Sequence, residues 1–189
     1  MKLLIIFAST REGRQGLPVA TWFNNYAASS QLFNEVAFVD LQDLNLPLLD
    51  EPHHPKAENY QHEHTKNWST IVRQADAIVF VTPEYNYFAP ATLINAFDYL
   101  YNEWNYKPMG FVSYGGISGG LRAVQSVKSM VTTAKVLPIP EGVSAAYFEK
   151  QINENGDFIA TEGQEEGATA MLRELEKIAT ALQPLRVSE

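Results

Sequence analysis

The sequence predicts an α/β domain, a parallel sheet covered by helices on both faces. Three observations predict it. Short apolar runs rich in β-formers alternate with segments of helical periodicity along the whole chain. One run, Ala77-Ile78-Val79-Phe80-Val81, is apolar at every position, the pattern of a strand buried on both sides. Three of the runs end in polar or glycine-bearing loops directly before a helix begins, as in strand–loop–helix units.

Taken in order, Lys2 to Phe7 reads as the first strand. The loop Ala8 to Gly16 follows, with Arg11 and Arg14 and the glycines Gly13 and Gly16. Pro18 stands where a helix starts, a position proline favours, and Val19, Trp22, Phe23 and Tyr26 recur at helical spacing. Glu35 to Leu41 is the second strand, ended by Asp40 and Asp43. From Leu44 to His64 the prolines Pro47, Pro52 and Pro55 predict irregular chain, and this stretch holds all four histidines, His53, His54, His62 and His64. A helix over Lys66 to Gln74 leads to the central strand, Ala77 to Thr82.

The third predicted helix runs from Ala91 to Trp104, with Leu93, Phe97, Leu100 and Trp104 on one stripe and Ile94, Tyr99 and Tyr101 on its other faces. Two readings stand for so apolar a helix: a subunit interface, or deep cover by its own chain. Pro108 to Tyr114 is the fourth strand, ending in Gly115-Gly116-Ile117-Ser118-Gly119-Gly120, and a helix over Leu121 to Thr133 follows. Val136 to Ile139 begins a fifth strand, broken by Pro138 and Pro140 and continued by Val143 to Phe148. Asn155-Gly156 marks a turn, and Ala168 to Leu182 is a terminal amphipathic helix. Five strands alternating with five helices, joined by right-handed crossovers, point to a flavodoxin-like three-layer sandwich with strand order 2-1-3-4-5, as a single domain over residues 1–189. In that order the loops after strands one, three and four share the carboxyl edge, where ligands sit in such sheets.

Composition narrows the function. The chain has 189 residues with a net charge of -8, which argues against a general nucleic-acid binder. It has no cysteine, which removes disulfides, thiolate catalysis, iron–sulfur clusters and Cys-containing zinc sites. Residues 1–8 are too short for a signal peptide's apolar core with its flanks, and no stretch approaches the ~20 apolar residues of a membrane span. The expected location is the cytoplasm.

The loops carry the chemistry. Loop one offers the hydroxyls of Ser9 and Thr10, two guanidiniums and backbone N–H groups at a helix start, an anion site and most simply a phosphate site; the plain alternative is a surface loop with solvated arginines. Loop three, Pro83-Glu84-Tyr85-Asn86, presents a rigid turn, a carboxylate, an aromatic ring and an amide, with the N–H groups of Tyr85 and Asn86 as donors to a planar ligand. Tyr87 and Phe88 read equally as a substrate wall and as packing under the next helix. Loop four lets a planar ligand approach the backbone. Gly116-Ile117-Ser118-Gly119-Gly120 matches the G-x-S-x-G nucleophile elbow, but that motif needs a histidine downstream and all four lie upstream. The histidines lie in a polar loop beside Lys56, Glu58 and Glu63 and read as solvated rather than metal-bound.

At these loops the sequence resembles the NADPH-dependent FMN reductases. The resemblance rests on Ser9-Thr10-Arg11, Pro83-Glu84-Tyr85-Asn86 and Tyr114-Gly115-Gly116. It is supported by Leu46-Pro47-Leu48-Leu49-Asp50, Asn95-Ala96-Phe97-Asp98 and Gly119-Gly120-Leu121-Arg122-Ala123. It spans about Lys2 to Phe148. It implies FMN phosphate at Ser9, Arg11, Arg14, Gln15 and Gly16. It places the isoalloxazine against Pro83, Glu84, Tyr85 and Asn86 and against Tyr114, Gly115 and Gly116. It further implies NADPH or NADH as donor of hydride to flavin N5, and a small-molecule electron acceptor such as a quinone, azo compound, metal oxyanion or free flavin. No side-chain nucleophile and no metal is expected. A homodimer or homotetramer through the third predicted helix is implied, and Glu84 and Arg122 are a candidate pair. Tyr87 stands where the family often has a small residue, and this bears on the substrate opening. The alternative in another class is a flavin-binding electron carrier or redox sensor without turnover.

Overall fold

In the computed structural model, which describes residues 1–187, alternate residues of each inner strand enter opposite cores. Leu3, Ile5 and Phe7 of β1 (Lys2–Phe7) join one core with Ala77, Val79 and Val81 of β3 (Ala77–Pro83), whereas Leu4 and Ile6 join the other with Ile78 and Phe80. Every residue of β3 is buried, as its unbroken apolar run predicts. With β2 (Glu35–Asp40), β4 (Pro108–Gly115) and β5 (Leu137–Ala146) these strands form one sheet in the order β2-β1-β3-β4-β5, every neighbour pair parallel.

Helices α1 (Leu17–Ser29) and α6 (Glu162–Val187) cover one face around Phe23, Met171, Leu172 and Leu175. Helices α3 (Glu63–Arg73), α4 (Ala91–Asp98) and α5 (Leu121–Val131) cover the other around Trp68, Phe97, Trp104 and Val127. A four-residue helix, α2 (Leu41–Leu44), absent from the sequence reading, follows β2 directly. Asp40 nucleates it by accepting the Gln42 N–H at 2.9 Å, an N-cap.

Other boundaries differ for physical reasons. The third predicted helix stops at Asp98 and resumes as a 3₁₀ turn over Asn102–Trp104. The Tyr101 N–H is donated to the Glu103 carboxylate instead of continuing the helix, and the Phe97 carbonyl accepts the Trp104 indole N–H at 3.0 Å. Its apolar stripe is nonetheless buried by its own chain, and Tyr99 reaches Asp50 at 2.9 Å, whereas Ile94 and Tyr101 are only half-buried. Helix α3 starts at Glu63 rather than Lys66, and α6 runs well beyond Ala168 to Leu182 in both directions. The two pieces of the fifth strand are one: β5 tolerates Pro138 and Pro140 because it is an edge strand with a register shift opposite Met109 and Phe111. The irregular stretch is fastened to the body. The His62 and His64 rings stack at 5.2 Å, and His64 Nε2 lies 3.0 Å from the Asp50 carboxylate. Among the described residues no group of three His, Asp or Glu side chains is placed to hold a metal.

At the amino edge of the sheet, charge is tied into the fold. Asp76 accepts the Lys2 N–H and an Arg186 N–H, each at 2.8 Å, joining β1, β3 and α6. Lys107 is buried and donates to the carbonyls of Val72 and Arg73 at the end of α3, at 2.5 and 3.2 Å. Burial lowers its pKa to about 7.

Candidate functional site

The registers of the sheet decide which loops meet. Phe7 pairs with Val81, Pro83 with Tyr114 and Gly115 with Ala146, so the chain leaves β1, β3, β4 and β5 at neighbouring points of the carboxyl edge. A cleft of about 270 Å³ opens there. Its lining includes every residue predicted for the site except Asn86 and Gly116, and adds Glu12, Gly13, Phe148 and Glu149.

Loop one winds through two consecutive turns, Arg14 N–H to Arg11 O at 3.1 Å and Leu17 N–H to Arg14 O at 3.0 Å, with Gly13 at φ +81°. Its two arginines have different surroundings. Arg14 forms an ion pair with Asp40 at the end of β2, and its guanidinium carbon lies 5.7 Å from the Phe7 ring centroid. Arg11 is exposed and makes no ion pair among the described residues. Ser9 is buried, its Oγ 3.2 Å from the Tyr85 hydroxyl across the cleft floor. Helix α1 starts at Gly16 without a side-chain cap and without an acidic residue in its first turn, so the positive end of its dipole is left uncompensated by the chain.

Loop three is a tight hairpin. Tyr85 and Phe88 exchange both backbone hydrogen bonds, at 2.9 and 3.0 Å, around Asn86 at φ +52° and Tyr87 at φ +73°. Two successive positive φ values belong to a type I′ turn, whose second centre favours glycine. A tyrosine there carries backbone strain, and the Arg122 guanidinium packs over its ring at 4.1 Å. The geometry corrects one expectation: the Tyr85 N–H is donated to Phe88 and is not free for a ligand. Asn86 closes the turn away from the cleft lining.

Glu84 lines the cleft, yet its carboxylate is engaged by loop four. Oε2 accepts from Ser118 Oγ at 2.9 Å and from the N–H groups of Arg122 and Ala123 at 3.0 and 3.4 Å, and Oε1 pairs with Arg122 Nε at 2.8 Å. Glu84 thus caps α5 from another loop and makes loops three and four one body. The same bonds give Ser118, the centre of the serine-elbow pattern, a structural partner. Gly120, at φ +85°, is the residue before α5, and a Cβ there would lie 2.9 Å from the Tyr114 backbone nitrogen.

Sequence reading missed the fourth wall. After β5, Tyr147 turns through φ +50° and donates its N–H to the carbonyls of Gly115 and Gly116 at 2.8 and 3.2 Å. This sets the Phe148 ring edge-on to Tyr114, centroids 4.9 Å apart. No local pattern marks Phe148 as a site residue; its role comes from β5 lying beside β4. Gly116, expected to face a ligand, instead uses its carbonyl to hold this segment and the loop-four turn.

The site therefore has one polar end, at loop one and the start of α1, and one end of backbone and aromatic rings. Residues 1–150 match the family described as NADPH-dependent FMN reductase. An NAD(P)H-dependent FMN reductase of Schizosaccharomyces pombe is 45% identical over 121 residues, 63% of this chain and 60% of that protein, so the match spans less than two thirds of that relative. A quinone reductase of Pseudomonas putida is 31% identical over 156 residues, 77% of this chain and 80% of the relative. Among solved structures, the flavoenzyme NAD(P)H:(acceptor) oxidoreductase FerB of Paracoccus denitrificans superposes with a TM-score of 0.71 over 95% of this chain and 97% of its own, at 18% identity, a likeness of fold.

Proposed function

The chain belongs to the NADPH-dependent FMN reductase family, and on that premise we propose that it is an FMN-dependent NAD(P)H oxidoreductase whose carboxyl-edge cleft holds the flavin. The observation that carries this reading is the division of the cleft. Its polar end keeps the Arg11 guanidinium, without an ion pair among the described residues, and the start of α1 without a side-chain cap, while its other end offers Pro83, Tyr85 and the Gly115 backbone. An anionic tail joined to a planar ring matches both ends.

FMN, when bound, supplies the redox chemistry, taking hydride from the nicotinamide and passing electrons to an acceptor. The chain's residues bind and orient. Arg11, Gln15 and the Gly16 N–H hold the phosphate. Arg14, already paired with Asp40, shapes loop one. Pro83, Tyr85 and Gly115 present a stiff wall to the ring, and Glu84 keeps that wall in register with loop four. Tyr87 stands exposed just beyond Tyr85 and limits the opening through which donor and acceptor reach the ring in turn. Acceptors of the quinone, azo, metal-oxyanion or free-flavin kind fit such an opening. The chain works in the cytoplasm as a dimer or tetramer through the segment from Ala91 to Trp104, where Ile94 and Tyr101 are half-buried. No helix among the described residues is long and apolar enough to cross a membrane.

The test is spectroscopic. Purified protein incubated with FMN should retain a flavin absorption band, and stopped-flow mixing with NADPH or NADH should bleach it rapidly. Failure to take up FMN overturns the reading. Uptake without rapid bleaching moves the chain to the class of electron carriers.

A further inference from the structure

We infer that the Tyr114 hydroxyl is a donor to the phosphate of the bound nucleotide, so that Tyr114 separates FMN from riboflavin; this rests on the FMN reading above. Tyr114 ends β4, and the resemblance placed it against the flavin ring. Its ring runs the other way, beneath loop one. A Cβ built on Gly16 would lie 2.0 Å from the ring's Cζ and 2.3 Å from its hydroxyl oxygen, so glycine is what allows the phenol to lie at the start of α1.

Three features make that hydroxyl a ligand group rather than packing. Tyr114 is 4% exposed, and its hydroxyl is buried beside Ser9 with no well-formed hydrogen bond among the described residues. A buried hydroxyl left unpaired is destabilising, and native interiors seldom keep one without use. The edge-on Phe148 ring, itself fixed through Tyr147, holds the phenol where it is. Burial raises the phenol's pKa well above its ordinary value, so it remains an O–H donor at neutral pH.

The surroundings select what it donates to. The Ser9 and Tyr85 hydroxyls lie across from each other, and Arg14 is taken by Asp40. At this end of the cleft Glu12 is an exposed carboxylate, whereas the start of α1, without a side-chain cap, and the Arg11 guanidinium, without an ion pair among the described residues, both favour an anion. An acceptor with negative charge completes the set, and on FMN that group is the phosphate, which riboflavin lacks.

The experiment is titration of the flavin-free protein and its Tyr114→Phe variant with FMN and with riboflavin, followed by flavin fluorescence, with thermal melts of both ligand-free proteins. Phenylalanine keeps the contact with Phe148 and removes only the hydroxyl. The expected result is an FMN Kd raised about tenfold or more, the scale of a hydrogen bond to a charged group, with the riboflavin Kd unchanged. Ligand-free Tyr114→Phe should melt no lower than the parent, because no well-formed protein hydrogen bond is lost, Ser9 being engaged with Tyr85. An FMN Kd within about twofold of the parent's, an equal loss for both flavins, tighter FMN binding, or a lower melting temperature without ligand would each overturn the inference. If the parent takes up neither flavin, the FMN reading itself falls first.

Discussion

The two edges of the sheet carry similar side chains and treat them in opposite ways. At the amino edge Arg186, Asp76, Lys2 and Lys107 are bonded to one another or to backbone carbonyls. At the carboxyl edge Arg11 has no ion pair among the described residues, the Tyr114 hydroxyl is buried with no well-formed hydrogen bond among them, and α1 starts uncapped. The difference separates charge that holds the fold from charge that, on the proposed reading, is kept for a ligand. Within the carboxyl edge the same division recurs: loop three has its carboxylate fully engaged, while loop one keeps donors in reserve.

The sharpest way to break this division is at Glu84, which lines the cleft but belongs to the fold. Glu84→Ala should cost roughly 2–3 kcal/mol of stability, since it removes the cap of α5 and a charge-assisted pair together. Urea denaturation of the flavin-free protein measures it, and FMN affinity should fall as well because loops three and four lose their coupling. A variant as stable as the parent would place Glu84 with the ligand groups instead. Arg11→Ala should do the converse. FMN binding should weaken by about 1.5–3 kcal/mol while the urea midpoint without flavin stays where it was. A drop in that midpoint would return Arg11 to the fold.

The amino edge is sharpened by pH. Lys107 has an ordinary pKa near 10.5 when unfolded and about 7 when folded. Between those values the unfolded chain binds the extra proton, so its contribution makes stability rise with pH, by at most about 1.4 kcal/mol per unit. Below about pH 7 both states are protonated and the contribution levels off. Unfolding of the parent and of Lys107→Met across pH 7 to 9 should show the rise in the first and a flatter line in the second. Equal slopes would mean that the α3 carbonyls keep the ammonium charged.

Much of the fold was legible because it depends on neighbours in sequence. Lys2–Phe7 and Ala77 onward carry their burial in consecutive residues, and strand–loop–helix order leaves few parallel topologies. The helix after Pro90 is shorter than its apolar stripe, which continues through Trp104, because the Tyr101 N–H is diverted to Glu103 and the helical hydrogen-bond ladder stops there. In the site, most of the predicted residues line the cleft, since loops one, three and four carry their chemistry in short runs. Asn86 and Gly116 do not, because each is used to close its own loop.

The sequence by itself determined the strand order, the carboxyl edge as the place of the cleft and the residue types that line it, because these follow from periodicity and from which loops must share an edge. Only the tertiary structure decided what those residues do there. It took Glu84 for α5, gave Arg14 to Asp40, brought Phe148 in from β5 and turned the Tyr114 hydroxyl toward the start of α1. The physical reason is that a polar group's role depends on whether its bonding capacity is already filled, and the partners that fill it lie far away in sequence.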